Sequence, residues 1–184
     1  MHWFITGAVV LHLTVALMSS LLRHLPTTMA VMDLHRSIGL TIFLLTALRL
    51  GLRLVLPMPR IRDGISTWQR LVAKSVHTAF YLVLFTAPIV GWLYTSAVGQ
   101  DVTFFWIVPL PALIGSDQEF ANRLLTVHIG LAVALVVLIG IHTCGALYNR
   151  MVLKNRIFNK MLWTRDEGRV SAHVSIWMKL LLGG

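Results

Sequence analysis

Apolar and polar residues are segregated along this chain into long blocks. They do not alternate at the period of a strand or of a half-buried helix. Four apolar blocks cover residues 2–22, 34 to about 56, about 71–94, and 124–147. Each runs for roughly twenty residues or more, enough to cross a hydrocarbon core of ~30 Å as a helix. Arg23, His24 and Pro26 end the first block, and Pro57 and Pro59 stop the second. Pro88 inside the third predicts a kink. The pattern predicts an all-α integral membrane protein, a four-helix transmembrane bundle over residues 1–150, followed by a tail over 151–184.

Composition agrees and charge adds orientation. The chain is 57% hydrophobic and 12% charged, with a mean hydropathy of +0.76, which excludes an ordinary soluble domain. A net charge of +9 would suit nucleic acid if the cations were clustered on one face, but they flank the apolar blocks instead. Of the 16 Lys and Arg residues, 13 fall on the side of the 57–70 linker and the tail, and 3 on the other. That asymmetry predicts both termini in the cytoplasm and no nucleic-acid partner. No basic n-region precedes the first block, so no cleavable signal peptide is expected. Cys144 is the only cysteine and no CxxCH motif occurs, so any haem is held non-covalently.

Histidines carry the candidate chemistry. His128 and His142 share the fourth block, 14 residues apart. Fourteen helical steps come within roughly 40° of whole turns and rise ~21 Å, so both rings face one way, one near each membrane surface. Imidazoles in a membrane helix are costly and usually functional. By position in the four-span frame, His35 and His128 lie at the outer level, and His2, His77 and His142 at the inner level. Each level then offers at least two imidazoles from different helices, as a six-coordinate haem b between helices requires. Gly39, Gly130 and Gly140 lie near these residues, and either admit a flat macrocycle or serve close helix packing.

Arg49 follows His35 by 14 residues and is placed near the inner level, with Arg53 and Lys74 as further inner cations and Arg36 as the outer one. Each suits a haem propionate, and equally suits snorkelling to the interface. Trp3, Tyr81 and Trp92 edge the cofactors or form an aromatic belt. His12, mid-block, lies about 80° off the His2 face. It reads as a neutral histidine bonded to a neighbouring helix rather than a functional one. His24 and His173 read as surface residues. The loop over 95–123 holds an apolar patch, FFWIVPLP, too short to span; it either covers the outer cofactor at the interface or contacts a partner. The basic and apolar tail reads as an amphipathic helix on the anionic cytoplasmic leaflet, with partner docking as the alternative.

Several of these stretches together resemble the bacterial cytochrome b561 family, related to the membrane cytochrome b of nickel–iron hydrogenases. They are His2-Trp3, LHRSIGL at 34–40, RLGLR at 49–53 followed by PMP, HTAFYLVLFTAPIVGW at 77–92, and the paired histidines of the fourth block. The resemblance covers roughly residues 2–150. It implies a bacterial inner-membrane protein holding two b haems, the inner one ligated by His2 and His142 and the outer by His35 and His128. His77 would then lie near a haem or quinone, or replace His2. The implied function is transmembrane electron transfer between a donor or acceptor at the outer face, superoxide among the candidates, and the quinone pool (ubiquinone). Ligation by two histidines leaves no open iron position, which points to electron transfer rather than oxygen binding, and no catalytic side chain is singled out. The alternative is a membrane-anchor cytochrome passing electrons between quinone and a partner redox protein or subunit. A haem-free proton or solute carrier is a third, distinct class.

Overall fold

A computed structural model of the chain describes residues 2–22, 24–55 and 66–151, with the main chain alone for Arg150. Its elements are α1 (His2–Leu21), α2 (Thr28–Val55), α3 (Thr67–Val98), a hairpin of β1 (Val102–Phe104) and β2 (Val108–Leu110), and α4 (Gln118–Met151). All four helices are long and apolar enough to cross a membrane, which bears out the predicted all-α membrane fold. The chain forms two compact units, Met1–Ile141 and His142–Gly184. Arg23, Arg60, Arg62, His173 and the amphipathic tail from 152 onward lie outside the described residues.

The last three helices outrun their apolar blocks because polar residues cap them. Ser66 opens α3 in a capping box, its hydroxyl accepting from Gln69 N while the Gln69 side chain accepts from Ser66 N. The Asp117 carboxylate accepts from Phe120 N at 2.9 Å, satisfying a donor that the first turn of α4 leaves open. At the far end of α3, Gly99 takes φ +78°, a left-handed cap, and its N–H reaches Ser96 O at 2.9 Å. Thr28 begins α2 with its hydroxyl on Leu25 O at 2.7 Å. These extensions put His35 two turns inside α2 and His128 nearly three turns inside α4, clear of fraying ends.

The apolar loop patch, too short to span, folds as a hairpin. β1 and β2 pair antiparallel, Val102 opposite Leu110 and Phe104 opposite Val108. The chain reverses through Phe105 and Trp106, at φ +47° and +61°, with Ile107 N bonded to Phe104 O at 3.0 Å. Two consecutive positive φ values match the right-handed twist of a hairpin but suit Asn-Gly, not two aromatics. The hairpin is held by Ser37, a buried residue of α2 whose Oγ accepts from Phe105 N at 2.9 Å and donates to Asp33 O at 2.9 Å. Replacing Phe105 by Asn together with Trp106 by Gly should relieve about 1–2 kcal/mol of backbone strain. A raised midpoint of thermal unfolding in detergent is the expected reading; an unchanged or lowered one would show that the aromatic rings contribute more than the strain costs.

Packing is uneven. Ile5, Val9 and Val15 of α1 interlock with Ile38 and Ile42 of α2 and Leu135 of α4, while Val90 and Ala97 of α3 meet Ala121 and Leu124 of α4. α1 with α2 and α2 with α3 are the closely apposed pairs, and among the described residues of the first unit α4 comes as near to none of them. The space so left is a cavity. Outward-facing Leu11, Leu17, Leu44, Leu48 and Leu82 are exposed, as suits surfaces solvated by lipid.

Candidate cofactor site

The cavity between α4 and the other helices measures about 680 Å³ and lies within the first compact unit. Its wall is nearly all apolar, from Val9, Leu13, Phe43, Leu84, Leu135 and their neighbours, interrupted chiefly by the imidazoles of His12, His35 and His128. Cofactor sites have this character: mostly apolar, a few hundred cubic ångströms, with few converging polar groups.

His35 and His128 hold their ring centres 6.2 Å apart with planes 81° to one another. Two metal–imidazole bonds of about 2 Å, plus the half-rings that carry them, span about 6 Å, so this separation fits one metal between the two rings. The His128 Nδ1 lies 3.1 Å from the Ala87 carbonyl oxygen, which can only accept. Nδ1 therefore carries the proton and Nε2 keeps its lone pair for a metal, the usual arrangement for a ligating histidine. Gly91, one turn beyond Ala87 on α3, makes room for that ring. A Cβ there would stand 3.1 Å from His128 Cε1 and 3.3 Å from Nδ1. The buried Nδ1 of His35 finds no hydrogen-bond partner among the described residues. The donor set and the cavity fit a flat cofactor with two axial imidazoles.

His12 changes the composition of this site. The sequence predicts a helix-bonded bystander. Instead its ring stacks on His35 with centres 3.9 Å apart and planes 17° from parallel, and its buried Nδ1 has no partner among the described residues. It also fills the notch at Gly39, where a Cβ would stand 3.1 Å from His12 Cε1. Ten residues of rise from His2 bring it to the depth of His35, so the level of His35 and His128 holds three imidazoles, not two. Among the described residues they are not disposed to share a bare ion, so the site is not a three-histidine metal centre.

The other predicted residues are distributed as follows. Arg49 lies against His2, Nη1 to Nδ1 at 3.4 Å, which bears on the expected placement of Arg49 beside an inner-level histidine. Trp3 packs a tilted ring on His2 at 5.5 Å. His142 falls on α4 within the second unit, half-buried. His77 donates from Nδ1 to Ala73 O at 2.6 Å and lines a second cavity of about 400 Å³ with Arg53, Lys74, Thr78, Tyr81 and Phe85. There the Arg53 guanidinium sits 6.0 Å over the Tyr81 ring. Phe43 of the first cavity and Phe85 of the second meet edge to face at 5.4 Å, so an aromatic pair separates the two spaces.

The prokaryotic cytochrome b561 family matches this chain over residues 1–164. Cytochrome b561 homolog 2 of Escherichia coli (strain K12) is 32% identical over 133 residues, covering 71% of this chain and 69% of that protein. The probable superoxide oxidase CybB of Yersinia pestis is 27% identical over 129 residues, covering 70% of this chain and 73% of that one. The chain belongs to the prokaryotic cytochrome b561 family. It is a multi-pass bacterial membrane protein and a b-type cytochrome, and membership implies a b-type haem.

For a b561 cytochrome, several side chains have uses the sequence leaves open. Arg36 lines the first cavity, but two of its nitrogens are committed, to Asp33 Oδ1 at 2.7 Å and to Gln100 Oε1. Through these bonds it joins α2 to the end of α3. Trp92 donates from Nε1 to Pro111 O at 3.1 Å and ties the strand connection to α3. Of the three glycines singled out, Gly39 touches an imidazole, whereas Gly130 and Gly140 face nothing within 4 Å. Gly91, within the segment APIVGW at 87–92, is a second glycine set against an imidazole, and its place one turn beyond Ala87 is the sequence signal for it. His12 was also findable: counted from the α1–α2 turn, it lies at nearly the same depth as His35.

Proposed function

We propose that this cytochrome carries electrons across the membrane between a donor at its outer face and quinone at its inner face, through two b haems. The observation that carries the reading is the His35–His128 pair, 6.2 Å between ring centres inside a cavity of about 680 Å³. His35 and His128 would hold the outer haem, and His2 and His142 the inner one. A haem so ligated supplies a one-electron iron couple with no open coordination position. Ala87 fixes the His128 tautomer, and the apolar wall excludes water. Ligation by His2 requires its Nδ1 to carry the proton, so Arg49 must turn from it, and a propionate is the natural acceptor for the freed guanidinium.

Both termini lie in the cytoplasm on this reading, by the distribution of Lys and Arg. The second cavity is the quinone site. His77, Thr78, Tyr81 and Arg53 offer donors around an otherwise apolar space, and Lys74 adds a cation at its edge. The outer donor is superoxide, the substrate in the name of the Yersinia relative. Two superoxide ions give up one electron each and leave as dioxygen, and two protons taken up beside His77 complete the reduction of quinone to quinol.

Pyridine-haemochrome quantitation on the purified chain should return two b haems; none would sink the scheme, and one would mean that the inner ligand set is misassigned. His77→Leu should keep the haem content and lower quinone reduction by about 100-fold, the scale of a lost proton-transfer group. Steady-state kinetics with a soluble quinone analogue read this, and an unchanged rate would remove His77 from the site.

A further inference from the structure

The two imidazoles proposed as outer ligands are supported differently, and the difference assigns a role to His12. A ligating histidine is normally fixed through its second ring nitrogen, which donates to a carbonyl or carboxylate. His128 has that support in the Ala87 carbonyl at 3.1 Å. His35 does not, since its buried Nδ1 has no hydrogen-bond partner among the described residues. What it has is a ring laid flat on it: His12 at 3.9 Å between centres and 17° from parallel.

The stack is held from behind. Gly39, one turn past His35 on α2, presents no side chain, and His12 Cε1 occupies the place a Cβ would crowd, 3.1 Å from it. The His12 ring thus rests at the Gly39 notch and on the His35 ring, and the plane of His35 stands 81° from that of His128 with 6.2 Å between ring centres. Stacked aromatic rings resist rotation about χ2 because turning one drives its edge into the face of the other.

We propose that His12 is a positioning residue of the outer haem site: by stacking on His35 it fixes the plane of that imidazole nearly perpendicular to the plane of His128. Flatness is the property used, not the nitrogen atoms. This rests on the reading of His35 and His128 as axial ligands.

The test uses the full-length cytochrome in detergent, comparing wild type, His12→Ala, His12→Phe and Gly39→Ala. The g-value anisotropy of low-spin ferric haem reports the angle between two axial imidazole planes, and near-perpendicular planes give a signal with a large maximal g. His12→Ala should retain the inner-haem signal while the outer-haem signal moves to a lower maximal g, with a shifted outer midpoint potential. His12→Phe, still flat, should restore both. Gly39→Ala, which crowds the His12 ring, should move them in the direction of His12→Ala. Loss of the outer haem in His12→Ala but not in His12→Phe supports the same role. An unchanged signal and potential in His12→Ala would overturn the proposal, as would a His12→Phe protein indistinguishable from His12→Ala or equally stripped of outer haem. Wild type without haem, or His35→Ala retaining both haems, would fail the ligand reading itself, which these outcomes distinguish.

Discussion

His128→Ala is expected to reduce the haem content from two per chain to one, leaving the inner haem and its spectrum in place. The effect is large because this side chain has three roles in the outer site. On the proposed ligation it would supply one of the two nitrogens, its proton is already placed on Nδ1 by Ala87, and its ring borders the cavity wall near His35. An alanine leaves an apolar hole with one remaining ligand, and haem held by non-covalent contacts then exchanges out. The reciprocal change, His142→Ala, should remove the inner haem and spare the outer. Pyridine-haemochrome stoichiometry with redox difference spectra separates the cases. Retention of both haems in either variant would show that pairing by depth is wrong.

Gly91→Ala should weaken the outer site with every proposed ligand still present. The new Cβ would lie 3.1 Å from His128 Cε1 and 3.3 Å from Nδ1, tighter than a carbon atom normally accepts, so the ring must shift by a few tenths of an ångström. It cannot shift freely, because Ala87, one turn away on the same helix, holds Nδ1 at 3.1 Å. The ring gives up either its place or its hydrogen bond. Losing the outer partner of a metal-binding histidine typically costs about 10–100-fold in affinity, so outer-haem retention through detergent dilution should fall by that order. Gly130→Ala is the control. Its Cβ meets nothing within 4 Å, and haem retention should match wild type. Equal behaviour of the two variants would mean that close packing at Gly91 does not govern the site.

The fold was largely legible in the sequence, and the candidate site in part. Residues 124–147 already mark α4 and carry both of its histidines, yet nothing in that block shows that the His128 ring rests on Gly91 or takes its tautomer from Ala87. Arg36 reads as a free cation at the outer level because its neighbours in space, Asp33 and Gln100, are one turn and 64 residues away. That the apolar patch at 104–111 folds as a hairpin is not visible in the sequence, because Phe105 and Trp106 are poor hairpin-turn residues. Only the buried Ser37 of α2 accounts for their being held there.

By itself, then, the sequence determined how many times the chain crosses the bilayer and at what depth each histidine lies. The physical reason is that both quantities are sums along one helix: hydrophobicity over about twenty residues sets the span, and ~1.5 Å per residue sets the height. The tertiary structure decided which residues at one depth meet. Helices that are apolar nearly all round have no marked face, so rotation about each axis is set by side-chain fit rather than by the pattern of polar and apolar positions. That fit turned His12 onto His35 above Gly39 and seated His128 against Gly91, and so built the three-imidazole outer site.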